Sequence, residues 1–457
     1  MKNFYLGADV SKGYSDFMLL DAKKRRIEED FQLDDTFDGH QKLHHILACL
    51  CDQHPDAQIY AAMESTGGYE NNWFDALVKF QSSLPLKTAR LNPCGVHNNS
   101  KAGLERNITD PISAENVAKY MIEHPENVTY QQQDPLTSLR KQWSFVKMLS
   151  KQKTQLLNQL ESNLYAANPE ILGYCKNGLP NWVLSVLARF PTAAKLAKAR
   201  KSSLALIPYV TEQKAKELIQ IAKKSVASAT DQITAQIIKA TVKQIRQLAK
   251  TIEAQEKILI KTCSIPEVQL LKTFPGISDI SAIGLILEIG SVERFATAKK
   301  IASFFGLHPI YKKSGDGSWG FHMSKKGRIV PRQILYMVAM TAVQCNPLIA
   351  EIYLKHTEKG MKKKAALGLC MHKICRILYG MLKHNRAFDA NIDRNNRKKS
   401  LKRNTKTRKD KRRRYQSFDA KAPVSARQNK KRKERKQSQS DNIAHNGIIE
   451  ASVPISE

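Results

Sequence analysis

Apolar positions in the first 128 residues come in short runs whose period changes along the chain. "FYLGADV", "SDFMLLD" and "RRIEEDFQL" are separated by the turn signals Lys12-Gly13 and Lys23-Lys24, and predict three strands over residues 4–33. From residue 38 the spacing becomes helical: Leu43, Ile46, Leu47 and Leu50 share one side of a helix over 38–52. "AQIYAAME" predicts a short strand ending in Glu64, "YENNWFDALVKFQ" a helix and "LKTARLN" another strand. "TDPISAENVAKYMIEH" opens on a cap-like Thr-Asp-Pro and continues as a helix. Three strands, helix, strand, helix, strand, helix describe a mixed α/β layer with helices covering a sheet.

Between about 136 and 265 the pattern lengthens. Ile238, Ile245, Ile252 and Leu259 recur every seven residues with Leu248 on the same seam. Leu149, Leu156, Leu157, Leu160 and Leu164 form a second stripe. Two long helices are predicted, paired as an antiparallel hairpin, as an intermolecular coiled coil, or within a plain bundle. The segment 168–228 between them holds Pro169, Pro180, Pro191 and Pro208 and reads as short helices. Residues 266–390 form a third compact region, and beyond about 390 apolar residues nearly vanish. That tail, 391–457, cannot build a core and is expected to be disordered when unbound.

Charge sharpens this division. The 457-residue chain carries a formal net charge of +32. Residues 1–128 hold 13 Lys and Arg against 19 Asp and Glu, residues 129–390 hold 40 against 16, and residues 391–440 hold 21 against 4. An acidic N-terminal unit is thus joined to a strongly basic remainder. A basic surface of this size suits a polyanion, most simply DNA or RNA, although a merely soluble basic protein has the same composition. No apolar run approaches the roughly 18 residues of a membrane span, and nothing reads as a signal peptide, so a cytoplasmic protein is expected. The eight cysteines read as reduced. Cys370, His372 and Cys375 fit no zinc spacing.

The chemistry is concentrated in two places. Asp9 interrupts the first strand, Glu64 ends the fourth, and Asp110 opens the helix after the fifth. In a mixed sheet of this order these ends converge at one edge. Three carboxylates meeting there would repel one another unless a cation sat between them, and Mg²⁺ suits carboxylate oxygens. Farther on, "YKKSGDG" sets Ser314 before a glycine and behind Lys312 and Lys313, on what reads as a basic loop.

"GADVSK", "MESTGGYENNW", "LNPCGVHNNSKA" and "RNITDPISAENVA" resemble the DEDD transposases of bacterial insertion sequences, the family of the Piv DNA invertase and of the bridge-RNA-guided recombinases. "PGISDISA", "YKKSGDG" and "SKKGRIVPR" resemble the C-terminal transposase domain of the same family. The resemblance implies an RNase H-fold (RuvC-like) domain over 1–128. A helical coiled-coil region over 136–265 follows, then a mainly α C-terminal domain over 266–390 with a helix-hairpin-helix-like turn at Gly276. Asp9, Glu64 and Asp110 take the first three acidic positions, holding Mg²⁺. Ser113 stands where the family has its fourth carboxylate. Glu115 lies about 200° around the helix from Ser113 and does not replace it. Either three carboxylates plus a hydroxyl suffice, or this copy is impaired. Ser314 is implied as the nucleophile, with Lys312, Lys313, Lys325, Lys326 and Arg332 as phosphate contacts. The implied partners are element and target DNA, a structured guide RNA, and further copies of the chain as dimers or tetramers. A Holliday-junction-type nuclease and a catalytically impaired nucleic-acid-binding relative are the alternative functions.

Overall fold

The computed structural model describes residues 2–396 apart from 66, 105–106, 108, 131–135, 177 and 315–316, together with 422–430 and 433–434; at 311–314 and 317–321 it describes the backbone. Most of the basic tail therefore lies outside the described residues, and so does the expectation of its disorder. Two compact units emerge, Met1–Thr137 and Ser138–Glu457.

The first unit is built on a five-stranded sheet. Its strands are β1 (Lys2–Val10), β2 (Tyr14–Asp21), β3 (Phe31–Asp34), β4 (Ala57–Glu64) and β5 (Leu86–Leu91), with helices α1 (Phe37–Gln53), α2 (Asn71–Phe80), α3 (Pro93–Ala102) and α4 (Asp110–Glu123). The order across the sheet is β3-β2-β1-β4-β5. The three N-terminal strands are antiparallel neighbours, and β4 and β5 run parallel to β1. Only residues from Phe31 onward join the third strand, because the charged stretch before it offers nothing to bury.

Period-2 alternation sorts the strands onto two faces. Phe4, Leu6, Ala8, Phe17, Leu19, Ile59, Ala61 and Met63 pack with Leu43, Leu47, Trp73 and Leu77 of α1 and α2. The opposite face carries Met18, Leu20 and Ala62, which meet Ala114, Ala118, Val117 and Met121 of α4. Gly7 lets α4 close onto β1: a Cβ there would stand 2.0 Å from the Ala114 carbonyl oxygen and 2.7 Å from the Ala118 nitrogen.

All but the first residue of α5 (Thr137–Ala167), 31 residues long, belongs to the second unit. The short helices α6 (Asn181–Arg189), α7 (Ala193–Ala197), α8 (Lys201–Ala205) and α9 (Glu212–Lys223) follow, and then α10 (Gln232–Thr262), also 31 residues. Leu160 and Leu164 of α5 share one core with Ile238, Val242 and Ile245 of α10 and with apolar residues of the short helices. The Gln142 side chain donates to the Gln255 carbonyl at the other end of the pair, 3.4 Å away. The two stripes are thus partly consumed within the chain, by the short helices lying against them.

The rest comprises α11 (Pro266–Lys272), α12 (Asp279–Ile289), α13 (Ala298–Phe304), strands β6 (Pro309–Ser314) and β7 (Gly317–Met323), α14 (Ile329–Cys345), α15 (Pro347–Glu358) and α16 (Lys363–His384). Residues 390–396 continue as helix, and Asp393 pairs with Lys373 of α16. The described fold therefore runs past the predicted boundary at 390. By length and composition α16 could cross a membrane, a property the search for an unbroken apolar run misses because Lys373 and Arg376 interrupt it. In this fold it buries Cys370, Ile374, Cys375 and Leu378 against its helical neighbours. Burial pushes the thiols of Cys370 and Cys375 up to about 11 and about 12, so both are protonated.

Candidate active-site residues

Three carboxylates end up on one face of the sheet. Tyr5, Gly7 and Asp9 point to the α4 side of β1, and Tyr60, Ala62 and Glu64 to the α4 side of β4, as the partition of their neighbours between the two cores requires. Apolar positions along each row meet α4, and the carboxylates sit where those rows end, beside the first turn of that helix. Asp110 occupies that turn.

Electrostatics ties the group together. Burial first, then the charges of Asp110 and Asp16, raises the Asp9 carboxyl above its ordinary value. A hydrogen bond from the Ser113 hydroxyl acts the other way. Glu64 is raised by burial and by the charge of Asp9. Ser113, one turn into α4, thus stands beside the Asp9 carboxylate and favours its ionised form. Glu115 faces elsewhere: it pairs with Arg26 at 2.5 Å and Lys119 at 2.9 Å, which hold its carboxyl below the usual range against the opposing effect of burial.

Sequence reasoning missed Asp16. It lies directly across from Asp9 in the β1–β2 register, is only 6 % exposed, and accepts hydrogen bonds from Gln32 Nε2 at 3.2 and 3.4 Å. Burial is the main cause of its raised carboxyl, with Asp110 and Asp30 adding to it. The signal was present: a tight turn at Lys12-Gly13 folds the two strands so that residues summing to 25 face each other.

The donor chemistry fits a hard divalent cation, since it consists of carboxylate oxygens, and burial and neighbouring charge raise the proton affinity of those on Asp9 and Glu64. Among the described residues, no three His, Cys, Asp or Glu side chains stand close enough together to hold a metal ion as they are placed. The carboxylates are linked through their charges, Asp9 with Asp110 and Glu64 with Asp9.

In the second unit, Ser314 stands at the last position of β6, paired with Gly317 across a two-residue connection. The predicted basic loop is thus a β-hairpin, with Lys312 opposite Trp319 and Lys313 opposite Ser318. A Gly-Asp pair between two β-prone runs is the hairpin signal the sequence carried. Lys325 and Lys326 lie just beyond β7 and are exposed, with Lys325 at φ 54°. Arg332 turns inward. Its Nη1 donates to the Phe305 carbonyl at 2.9 Å and the Gly327 carbonyl at 3.3 Å, so it braces the loop rather than standing free for a phosphate. Gly276, at φ +105°, brings the turn before α12 onto α14, where a Cβ would meet Ala342 at 3.1 Å. The α12 terminus that the helix-hairpin-helix reading reserves for phosphate is capped by Ser278 and bears Asp279, paired with Lys272 at 2.5 Å.

Comparison with known proteins gives matches in both the acidic α/β part and the basic helical part. Residues 6–169 match the DEDD transposase model of the IS110 type, and residues 268–354 match the model described as Transposase IS116/IS110/IS902 family. The chain belongs to this family of insertion-element transposases. It is 32 % identical over 129 residues to the pilin gene-inverting protein of Moraxella bovis, covering 27 % of this chain and 39 % of that protein. It is 22 % identical over 245 residues to a 44.8 kDa protein of insertion element IS116 from Streptomyces clavuligerus, covering 52 % and 61 %. A 43.6 kDa protein of insertion element IS110 from Streptomyces coelicolor is 23 % identical over 148 residues, covering 32 % and 36 %. The matched part spans less than two thirds of each of these relatives.

Proposed function

We propose that this protein is a DNA transposase or site-specific recombinase that cuts and rejoins phosphodiester bonds. The observation that carries the reading is the gathering of Asp9, Glu64 and Asp110 on the α4 side of one sheet, in a chain whose two family regions occur in the family's order. The strand order supports assigning the first unit to the RNase H (RuvC-like) fold, with one antiparallel flank and one parallel flank around β1.

Asp9, Glu64 and Asp110 would hold Mg²⁺. When bound, the ion would neutralise charge on a scissile phosphate and stabilise the departing oxygen. Ser113 would keep the Asp9 carboxylate oriented. Asp16, bonded by Gln32, would add a fixed negative charge behind Asp9 and favour a cation over a neutral site. Ser314 would be the nucleophile: its oxygen bonds to phosphorus, its proton passes to solvent, and the sugar oxygen leaves and takes up a proton. The phosphoserine linkage conserves the bond for rejoining. Lys312, Lys313, Lys325 and Lys326 would meet neighbouring phosphates. A structured guide RNA would choose the DNA, and copies of the chain would assemble as dimers or tetramers through α5 and α10. The protein would act in the cytoplasm on chromosomal DNA.

The test uses purified protein on DNA bearing the element ends. Ser314→Ala should abolish recombination and any covalent protein–DNA adduct while DNA binding survives. Asp9→Ala should abolish divalent-cation-dependent strand cleavage. An adduct trapped with Ser314→Ala would remove the serine from the mechanism, and full activity of Asp9→Ala would remove the acidic site. Cut junctions without rejoined product would instead favour a structure-selective nuclease.

A further inference from the structure

The second unit carries a basic cleft on α10, beside the apolar stripe of that helix and formed by none of the candidate site residues. It has a volume of about 380 Å³ and is lined by Ala188 of α6 and by Lys239, Val242, Lys243, Arg246, Gln247 and Lys250 of α10. The four cations recur at intervals of four, three and four residues, so all lie on one face of the helix. At 1.5 Å per residue the row extends for about 16 Å.

This row is uncompensated. From Gln232 to Ile252, α10 contains four cations and no carboxylate. Farther along the same helix Lys257 pairs with Glu253 at 2.7 Å, the usual arrangement on a solvated helix face. Among the described residues, Lys239, Lys243 and Lys250 have no such partner, and all three are exposed. Arg246 is half-buried, and its Nη2 donates to Ser185 Oγ at 2.7 Å, which fixes the guanidinium against the cleft. Like charges so spaced repel, and the fold keeps them without internal neutralisation.

We infer that this cleft seats the phosphate backbone of duplex DNA. This rests on the DNA-acting reading above and adds a contact surface that reading does not require. A regular row of point charges matches a regular row of phosphates, whereas acidic side chains of a protein partner are seldom so evenly spaced. The floor, Ala188 and Val242, offers no aromatic ring for stacking an unpaired base, which argues against a single strand. Gln247 is the single amide in the lining, so the surface positions DNA without reading its sequence.

The experiment is fluorescence anisotropy with the full chain and a 30-base-pair DNA of arbitrary sequence, repeated across a NaCl series. The variant is Lys239→Gln, Lys243→Gln and Lys250→Gln combined, with Arg246 left in place. Three lost phosphate contacts should lower the slope of log K against log salt by about 2.7 and weaken binding more than tenfold at low salt, with Tm unchanged. A second variant, Lys216→Gln, Lys223→Gln and Lys224→Gln, removes the same charge from α9 and its C-terminal cap. Equal slope losses in both variants would mean a diffuse charge effect and overturn the proposal. So would an unchanged slope, or a loss seen with duplex RNA alone. Asp9→Ala should bind with the slope of the parent chain, which separates failure of this surface from failure of the acidic site.

Discussion

A carboxylate whose proton affinity rises on folding costs the folded state free energy whenever it is ionised. Asp9 is such a group, raised by burial and by the charges of Asp110 and Asp16. The cost is present in full at pH values above its folded pKa. It shrinks as pH falls through that value and is gone below the unfolded one. Asp9→Asn in metal-free buffer should therefore raise Tm by about 2 °C near pH 7.5, with the gain fading as pH falls through the carboxylate range. A thermal melt series with a chelator present checks this; a lower Tm for the variant at pH 7.5 would show that the carboxylate is not under strain. Asp9 and Glu64 stand out in the sequence because a carboxylate at the end of an apolar strand breaks the local pattern, whereas Asp110 sits where a helix start favours a carboxylate and draws notice only through the Thr-Asp-Pro motif. Asp16 was not, because its meaning depends on strand register, and "SDFMLLD" looks like an ordinary strand entering from a turn. Arg332 was misread for a similar reason: an arginine in a basic stretch looks free until the carbonyls of Phe305 and Gly327 are placed around it.

At the scale of elements, the acidic site depends on how closely α4 approaches β1. Gly7 sets that distance, and the atoms it touches are backbone atoms of α4, which cannot swing aside. Gly7→Ala should cost about 3 kcal/mol, the upper part of the range for overpacking, because a strand or a helix must move. Urea unfolding should show a lower midpoint, and the same displacement should separate Asp110 from Asp9 and reduce cleavage. An unchanged midpoint would mean that the helix is loosely seated. Most elements of this unit follow from periodicity alone, since their buried positions are strictly spaced. Helix α3 escaped because Val96 is its one buried residue; what starts it is local, the Asn92 side chain accepting from the Cys94 nitrogen and Pro93 in the first turn. The β6–β7 hairpin escaped because lysines and small residues hide its alternation. The long helices α5 and α10 were plain from their stripes, yet the stripes alone could not say that short helices from the same chain would fill part of them.

Across the whole molecule, charge is distributed against the order of the chain: acidic in the first 128 residues, basic after them, and most concentrated beyond the described core. Residues 397–457 contain 20 Lys and Arg. The last described contacts before that segment are internal ones, Asp393 with Lys373 and the Phe388 ring against Phe274 at 4.8 Å. A chain ending at Asn396 keeps both contacts and every buried apolar residue of the core. Its Tm should therefore stay within about 1 °C of the full chain, because surface charge removed from outside a core changes stability little. DNA affinity should behave differently. Each phosphate neutralised by a tail cation contributes about 0.9 to the salt slope, so engagement of even a third of the tail's cations would remove a slope near 6 and weaken binding by several orders of magnitude at low salt. Anisotropy titrations of both chains on one duplex, across the same salt series, read this directly. A tail that only keeps the protein soluble would leave the slope intact and lower the concentration at which the shortened chain aggregates. A fall in Tm of several degrees would instead place part of the tail in the folded core.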